Sequence, residues 1–399
     1  QVLEDSCFDM LFLADILCIP DRFGSSMDSQ LRHGGLGALR LDPMVVLSAM
    51  SAMTAHLGLA ATISTSYQEP FTVARAMATL DHLSGGRAAW NVVTSFQEAE
   101  AKNFSAKEMV KREERYDRGD EFMEVATKLW DSWSDDALVR DPEAPMFADP
   151  SKVNYINHEG RWFNVRGPLN VSRSPQGRPV LLQAGASDRG KDFAARWAEV
   201  VFVKHSAPEL AAEYRKDLRA RAERFGRNPD DIKVLPGIVP IIAETKSIAE
   251  ERRALLESRV DPVAGLSTLS YHIGVDLSAF PLDEMLPDVD VPGAQGDYKE
   301  VAALTRRTGI TLGELGRRYG TATSTTVFTG TANDIVDNME HWLSLGACDG
   351  FMIMAPVVPN SIVDFAHLAI PELQRRGLFR KRYEGNTLRE IMGIKRPAA

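Results

Sequence analysis

Short runs of almost uninterrupted apolar residues recur along the chain with longer amphipathic stretches between them, and this alternation limits the fold more than any other feature. A run that is brief and continuously apolar reads as a strand covered on both faces, and strands of that kind spaced by helices build a parallel sheet. Seven such runs stand at residues 8–14, 57–63, 88–93, 180–184, 199–203, 232–242 and 350–354. Helices are expected at 43–55, 70–83, 113–133, 188–197, 208–225, 246–257 and 331–345, with a last one near 361–376. The stretch "TGTANDIVDNMEHWLSLGA" shows the pattern: a Thr or Asn cap, apolar Ile335, Val336, Met339 and Trp342, and Gly346 as the stop.

Seven strands are one short of a closed (β/α)8 barrel, and the opening "QVLEDSCFD" reads as the tail of a helix entering a strand. The fold expected is therefore an α/β TIM barrel, a single domain over residues 1–399, with its first strand missing from the given chain. Two segments interrupt the repeat. Residues 134–179 contain "NHEGRWFNVRGPLNVSRSPQGRP", whose alternation and glycine turns suggest a hairpin. Residues 258–325, rich in Pro, Gly and Asp, are too long for a plain connection and are expected to form a lid.

A formal charge of -9 and no basic cluster argue against nucleic acid as a partner. No run reaches the roughly 20 apolar residues that cross a bilayer, and the start lacks the features of a signal peptide. Cys7, Cys18 and Cys348 are widely spaced, which fits a reduced, cytoplasmic protein. The histidines have no paired ligand spacing, so no metal is expected. G-x-S-x-G, the P-loop and a post-strand G-x-G-x-x-G are absent, which weakens serine-hydrolase and nucleotide-fold readings.

In a barrel the chemistry sits where the strands end at their carboxyl side. Asp15 follows the first run, where a carboxylate at the mouth of a buried strand needs a partner. The second run leads into "TISTSYQEP" (62–70), the third ends in "NVVTS" (91–95) and the fourth in "AGASDRG" (184–190). Gly185, Ser187 and Gly190 open a helix there, as a phosphate-binding turn or as a simple cap. Arg115 and Tyr116 head the helix at 113–133, placed for an anion or for a surface of Glu–Arg pairs. Among the histidines only His205 and His272 fall near a pocket, and Arg173, Lys204 and Arg259 are the cations whose direction would matter for a polycarboxylate substrate.

Taken in series, "LDHLSGGRAAWNVVTS", "RYDRGDEFMEVATKLWDSW", "HEGRWFNVRGPL", "PQGRPVLLQAGASDRGKDFAARWAE" and "IPELQRRGLFR" resemble the bacterial-luciferase-like flavin monooxygenases. The resemblance is to the branch that holds the nitrilotriacetate monooxygenases, the pristinamycin synthases and the dibenzothiophene-sulfone monooxygenases. It implies a two-component enzyme that takes reduced FMN from a separate NAD(P)H-dependent flavin reductase, reacts it with O2 and oxygenates a small organic substrate. By motif match, Asn91 would face the flavin ring and Thr94 its phosphate or ribityl side, with Asp15 near the reactive edge. Ala61–Thr62 would fall where relatives carry a cis peptide behind the ring, and Tyr116, Ala186 and Ser187 would hold the phosphate. A deazaflavin-dependent oxidoreductase on the same barrel and a flavin-binding relative without turnover are the alternatives; the acidic run at 282–297 gives the former little support. The tail "LFRKRYEGNTLREIMG" and the apolar outer helices make a homodimer plausible.

Overall fold

The computed structural model describes residues 1–35, 37–291 and 295–398. Its sheet has eight strands, all paired in parallel: β1 (Met10–Leu13), β2 (Gly58–Ser64), β3 (Ala88–Val93), β4 (Val180–Gln183), β5 (Val200–Val203), β6 (Lys233–Ile242), β7 (Thr326–Gly330) and β8 (Met352–Ile353). The pairing path runs β1-β2-β3-β4-β5-β6-β8, and these are the seven apolar runs of the sequence. β7 lies off the path, on the carboxyl half of β6 from Ile238↔Thr326 to Ile242↔Gly330, and hydrophobic patterning does not mark it. Its "TVFTG" alternates polar and apolar residues and stays half-buried, so it never forms a continuous apolar run. β1 and β8 end the path, and among the described residues no pairing joins them.

The sheet curls on itself. Met10 and Phe12 of β1, Ala60 of β2, Ala89 of β3, Val180 and Leu182 of β4, Val200 of β5 and Leu235 of β6 all pack into one interior cluster. The alternate strand residues Leu59, Ala61, Trp90, Val92 and Leu181 face outward against α1 (Pro43–Ser51), α2 (Pro70–Leu83) and α3 (Arg112–Trp130). Period-two alternation thus assigns every strand residue to the barrel interior or to the layer between sheet and helices. Trp90 is fully buried in that layer and donates its indole N–H to the Ile63 carbonyl at 3.1 Å. Its burial contributes about 2–3 kcal/mol, typical of a large side chain removed from water. Outside lie α4 (Asp188–Trp197), α5 (Pro208–Arg224), α6 (Lys246–Arg259), α10 (Ala332–Ser344) and α11 (Asn360–Arg375).

Between α6 and β7 the chain builds α7 (Pro262–Ile273), α8 (Gln295–Thr308) and α9 (Leu312–Ala322) around a core of Leu266, Leu269, Leu312, Leu315 and Tyr319. Residues 292–294, inside the stretch expected as a lid, lie outside the described residues. The glycines that read as loop formers serve close packing instead: a Cβ on Gly265 would stand 1.8 Å from the Gly316 carbonyl oxygen. This helical unit is tied to the segment after β1, where Ser29 Oγ and Gln30 Nε2 reach Ser267 Oγ at 3.0 and 2.6 Å. In the 134–179 segment, His158–Glu159 pairs antiparallel with Asn164–Val165.

The carboxyl-terminal tail closes the other end of the barrel. Leu388 and Ile394 join the interior cluster, and buried Arg389 bonds Glu199 and the carbonyls of Arg178 and Pro179. These residues of the tail thus pack on their own chain.

Candidate active site at the carboxyl ends of the strands

Inside the barrel, β2 presents Ala60, then Thr62, then Ser64, and β3 presents Ala89, then Asn91, so each inner ladder turns from apolar at the base to polar at the rim. Thr62 and Asn91 are register partners, 5% and 6% exposed, and Asn91 Nδ2 donates to Thr62 Oγ1 at 3.0 Å. Above them Ser64 Oγ meets Ser95 Oγ at 2.9 Å, both residues buried, with Ser95 in the left-handed region at φ 46°. Buried hydroxyls and amides are costly unless bonded, and here they bond one another across the two strands. The Ala61–Thr62 peptide is trans: the cis bonds among the described residues are Gly167–Pro168 and Val358–Pro359, and the β2–β3 ladder runs regularly through Ala61↔Trp90 and Thr62↔Asn91.

Outside the barrel, in the layer beneath the helices, a second polar group gathers. Thr94 continues the outward series of Trp90 and Val92, and the Tyr116 hydroxyl stands beside it and Ser187, both of which favour its ionised form. The Tyr116 ring packs on Phe193, with centroids 5.5 Å apart, and lies under the Arg189 guanidinium at 5.3 Å. Burial raises the Tyr116 pKa, and Arg115 and Arg112 pull against that rise, so the hydroxyl stays a neutral donor. The surface-helix reading of Tyr116 therefore fails, while Arg115 turns its guanidinium to the Val110 carbonyl.

Ser187 caps α4, accepting the Gly190 N–H at 3.2 Å, and Ala186 stands exposed at the crest of the turn. Gly190 has to be glycine because a Cβ there would lie 2.9 Å from the Tyr116 hydroxyl and 3.1 Å from Ser187 Oγ. The Gly185 carbonyl accepts the Tyr214 hydroxyl at 2.6 Å, fixing the turn from α5. His205, just past β5, packs 5.3 Å from the Tyr214 ring; burial and the nearby Lys191 lower its pKa.

Asp15 lies half-buried past β1, its carboxylate accepting the Ile16 N–H at 2.9 Å. Burial raises its pKa, and Asp42 adds to the rise. Two residues absent from the sequence reading stand with it at the rim. Glu100, 5% exposed, accepts the Leu17 N–H at 3.1 Å, and burial raises its pKa despite bonds from Gln97, Phe96 and Ser95. Gln97 Nε2 donates to the Tyr271 carbonyl at 2.5 Å, joining the loop after β3 to α7. Neither carries a periodic signal, since both sit in an irregular loop and a short helix, Glu98–Asn103. His272 instead meets the Tyr319 hydroxyl inside the inserted helical unit. Arg173 pairs with Asp131 and Asp135 and reaches the Pro397 carbonyl, beside the tail, and Arg259 is exposed at the end of α6. Neither serves the rim.

The donor set suits a flat polar ring joined to a phosphate. The inner group offers amide and hydroxyl contacts, and the outer group offers a glycine turn on a helix N-terminus and a phenol, with Arg189 over the phenol ring and paired to Asp117 and Asp120. Gln183, 5% exposed beneath that turn, keeps its Oε1 without a hydrogen-bond partner among the described residues.

Comparison with known proteins agrees with this architecture. Residues 4–347 match the family model described as luciferase-like monooxygenase. The chain is 46% identical to dibenzothiophene-sulfone monooxygenase of Rhodococcus erythropolis over its whole length and 89% of that protein. It is similar to the crystal structure of DmoA from Hyphomicrobium sulfonivorans, with a TM-score of 0.91 and 35% identity over 98% of this chain and 83% of that one. It is also similar to riboflavin lyase (RcaE) solved with modified FMN and riboflavin, with a TM-score of 0.90 and 34% identity over 100% of this chain and 88% of that one. Matched by that model over most of its length and by monooxygenase relatives along all of it, the chain belongs to the luciferase-like monooxygenase family.

Proposed function

We propose that this monooxygenase is the oxygenase of a two-component system, binding reduced FMN from a separate NAD(P)H-dependent flavin reductase and placing one atom of O2 on a small organic substrate. The observation that carries the reading is the division of polar strand ends, with Thr62 and Asn91 inside the barrel and Thr94, Tyr116 and Ser187 in the outer layer. A flavin ring on the first group and its phosphate on the second would use every one of them. The solved relative that holds modified FMN supports the choice of cofactor.

Bound reduced flavin would supply the electrons that activate O2. The Asn91–Thr62 pair fixes an amide and a hydroxyl at the inner rim, where their dipoles need no reorientation when a polar ring arrives. Tyr116 and the first turn of α4 hold the anionic end, and Tyr214 keeps that turn in place. The inserted helical unit leans on the rim through Gln97 and the Tyr271 carbonyl, and through Ser29, Gln30 and Ser267, so it can exclude water from the mouth. Burial raises the pKa of both Asp15 and Glu100, so these two rim carboxyls keep a proton to higher pH than a free carboxylate does.

The test is anaerobic titration of the protein with reduced FMN and with a reduced deazaflavin, followed by turnover with a flavin reductase, NADH and O2. Sulfones, aminopolycarboxylates and alkanes form the substrate panel. Saturable binding of reduced FMN and a substrate-dependent oxygenated product are expected. Preference for the deazaflavin, or reduced-FMN binding with oxygen uptake indifferent to every substrate, would overturn the reading.

A further inference from the structure

Gln183 is the last residue of β4, and the alternation that turns Val180 and Leu182 inward turns its side chain to the outer layer, under the turn formed by Gly185 to Gly190. A Cβ on Gly185 would lie 2.7 Å from Gln183 Nε2 and 3.1 Å from the Gly190 carbonyl carbon, so the carboxamide is folded against the turn itself. It is 5% exposed, yet its Oε1 meets no donor among the described residues. Buried amide oxygens are almost always bonded, and leaving one orphaned costs about 1–3 kcal/mol. Apolar packing at that position would remove the cost, so the amide is a liability unless something outside the chain completes it.

We propose that Gln183 is a further cofactor-holding residue, its carboxamide spanning the junction between the phosphate and the hydroxyl-bearing chain of the flavin. This deepens the flavin-monooxygenase reading and rests on it. Oε1 accepts from a ribityl hydroxyl and Nε2–H donates to a phosphate oxygen. The surroundings suit an anion there, since α4, ten residues long, points its N-terminus at the turn and Arg112 and Arg115 lie near Tyr116, whereas the charge of Arg189 is met by Asp117 and Asp120. Gly185 then has two duties: to turn the chain, and to leave room for the amide.

The experiment measures anaerobic dissociation constants for reduced FMN and reduced riboflavin, with apo-protein Tm, for wild type, Gln183→Leu and Gln183→Glu. Gln183→Leu should weaken reduced FMN about tenfold and reduced riboflavin about threefold, without lowering the apo Tm, because it removes an unpaired buried polar group. Gln183→Glu keeps an acceptor but sets a negative charge against the phosphate. It should weaken reduced FMN at least about thirtyfold and leave riboflavin within about threefold. If both variants bind reduced FMN as wild type does, the inference fails and the functional reading stands. A lowered apo Tm with parallel losses for the two flavins would show that Gln183 is structural, again overturning the inference alone. A wild type that does not bind reduced FMN overturns both.

Discussion

Replacing Gly265 by alanine tests whether the inserted helices act as a unit that seals the barrel mouth. The new Cβ would stand 1.8 Å from the Gly316 carbonyl oxygen and 2.7 Å from the Gly320 nitrogen, both backbone atoms that no rotamer change can move. Restoring an ordinary contact requires α7 and α9 to separate by roughly 1.5 Å, given that methyl–oxygen contacts settle near 3.3–3.5 Å. That separation loosens the interdigitation of Leu266, Leu269, Leu315 and Tyr319, all essentially inaccessible to solvent. Overpacking of this kind costs about 3 kcal/mol, the upper end of its usual range, while alanine's better helix propensity returns about 1 kcal/mol. A net loss of about 2 kcal/mol lowers Tm by about 2–3 °C if the chain melts as one, with an unfolding entropy near 2.1 cal/mol/K per residue. Thermal unfolding and limited proteolysis give the readout, with cleavage expected first in residues 262–322. With reductase and substrate present, the fraction of NADH consumption that yields product should also fall, because a loosened cover admits water. Gly313→Ala is the control: its nearest atom is the Leu282 carbonyl oxygen at 3.2 Å, so its Tm should change by less than about 1 °C. A Gly265→Ala protein as stable and as tightly coupled as wild type would refute both the packing argument and the sealing role.

Tyr116→Phe keeps the ring on Phe193 but removes the hydroxyl that stands beside Thr94 and Ser187, and should weaken reduced FMN about tenfold with little change in Tm, read by anaerobic titration. Glu4 accepts the amide N–H groups of Ala55, His56 and Leu57; burial works against its ionisation, but those bonds and Arg87 leave its pKa below the usual value. Its contribution is therefore complete above the unfolded pKa and lost as pH falls through the folded one, so Glu4→Gln should cost about 2 kcal/mol at pH 7 and progressively less in acid, measured by denaturant midpoints. Asp15 has the opposite sign: burial, then Asp42, raises its folded pKa, so the folded state holds the proton longer and stability falls as pH rises through that window. Asp15→Asn should remove this fall, leaving a protein at least as stable at pH 7, while changing the pH profile of kcat.

How much of this was legible in the sequence depends on the physics each part uses. The central strands β2 to β6 are covered on both faces, so continuous apolar runs reported them directly, and β1 and β8, half-buried at the ends of the path, carry unbroken apolar runs as well. β7 was not legible, because Val327 and Thr329 are only half-buried and threonines break the run. The inserted helices were missed for a different reason. Their interface is made by Gly265, Gly316 and Gly320, and glycine read singly means a turn, although across a helix pair it means close approach. At the rim, Thr62 and Asn91 were visible as polar residues ending apolar runs. Ser95 was visible in the same way, though not its bond to Ser64, while Glu100 and Gln97 were not, since what ties them to the rim is a pair of long-range bonds, from Leu17 and to Tyr271.

Strand parity also lets one short stretch face two ways, as the proposed flavin site requires. Asn91 and Thr94 are three residues apart, an odd number, so a continuous alternation sends one into the barrel and the other toward the helices. The path between them crosses the rim of β3, which is where a molecule reaching from the interior to the first turn of α4 would have to lie. β4 shows the same device with a different interval: Leu182 faces inward and Gln183 outward, directly under the turn. Inserting or deleting one residue between Asn91 and Thr94 would put both on one side. Asn91 would keep its bond to Thr62, but Thr94 would lose Tyr116, so the ring and phosphate contacts would separate without the barrel core being touched.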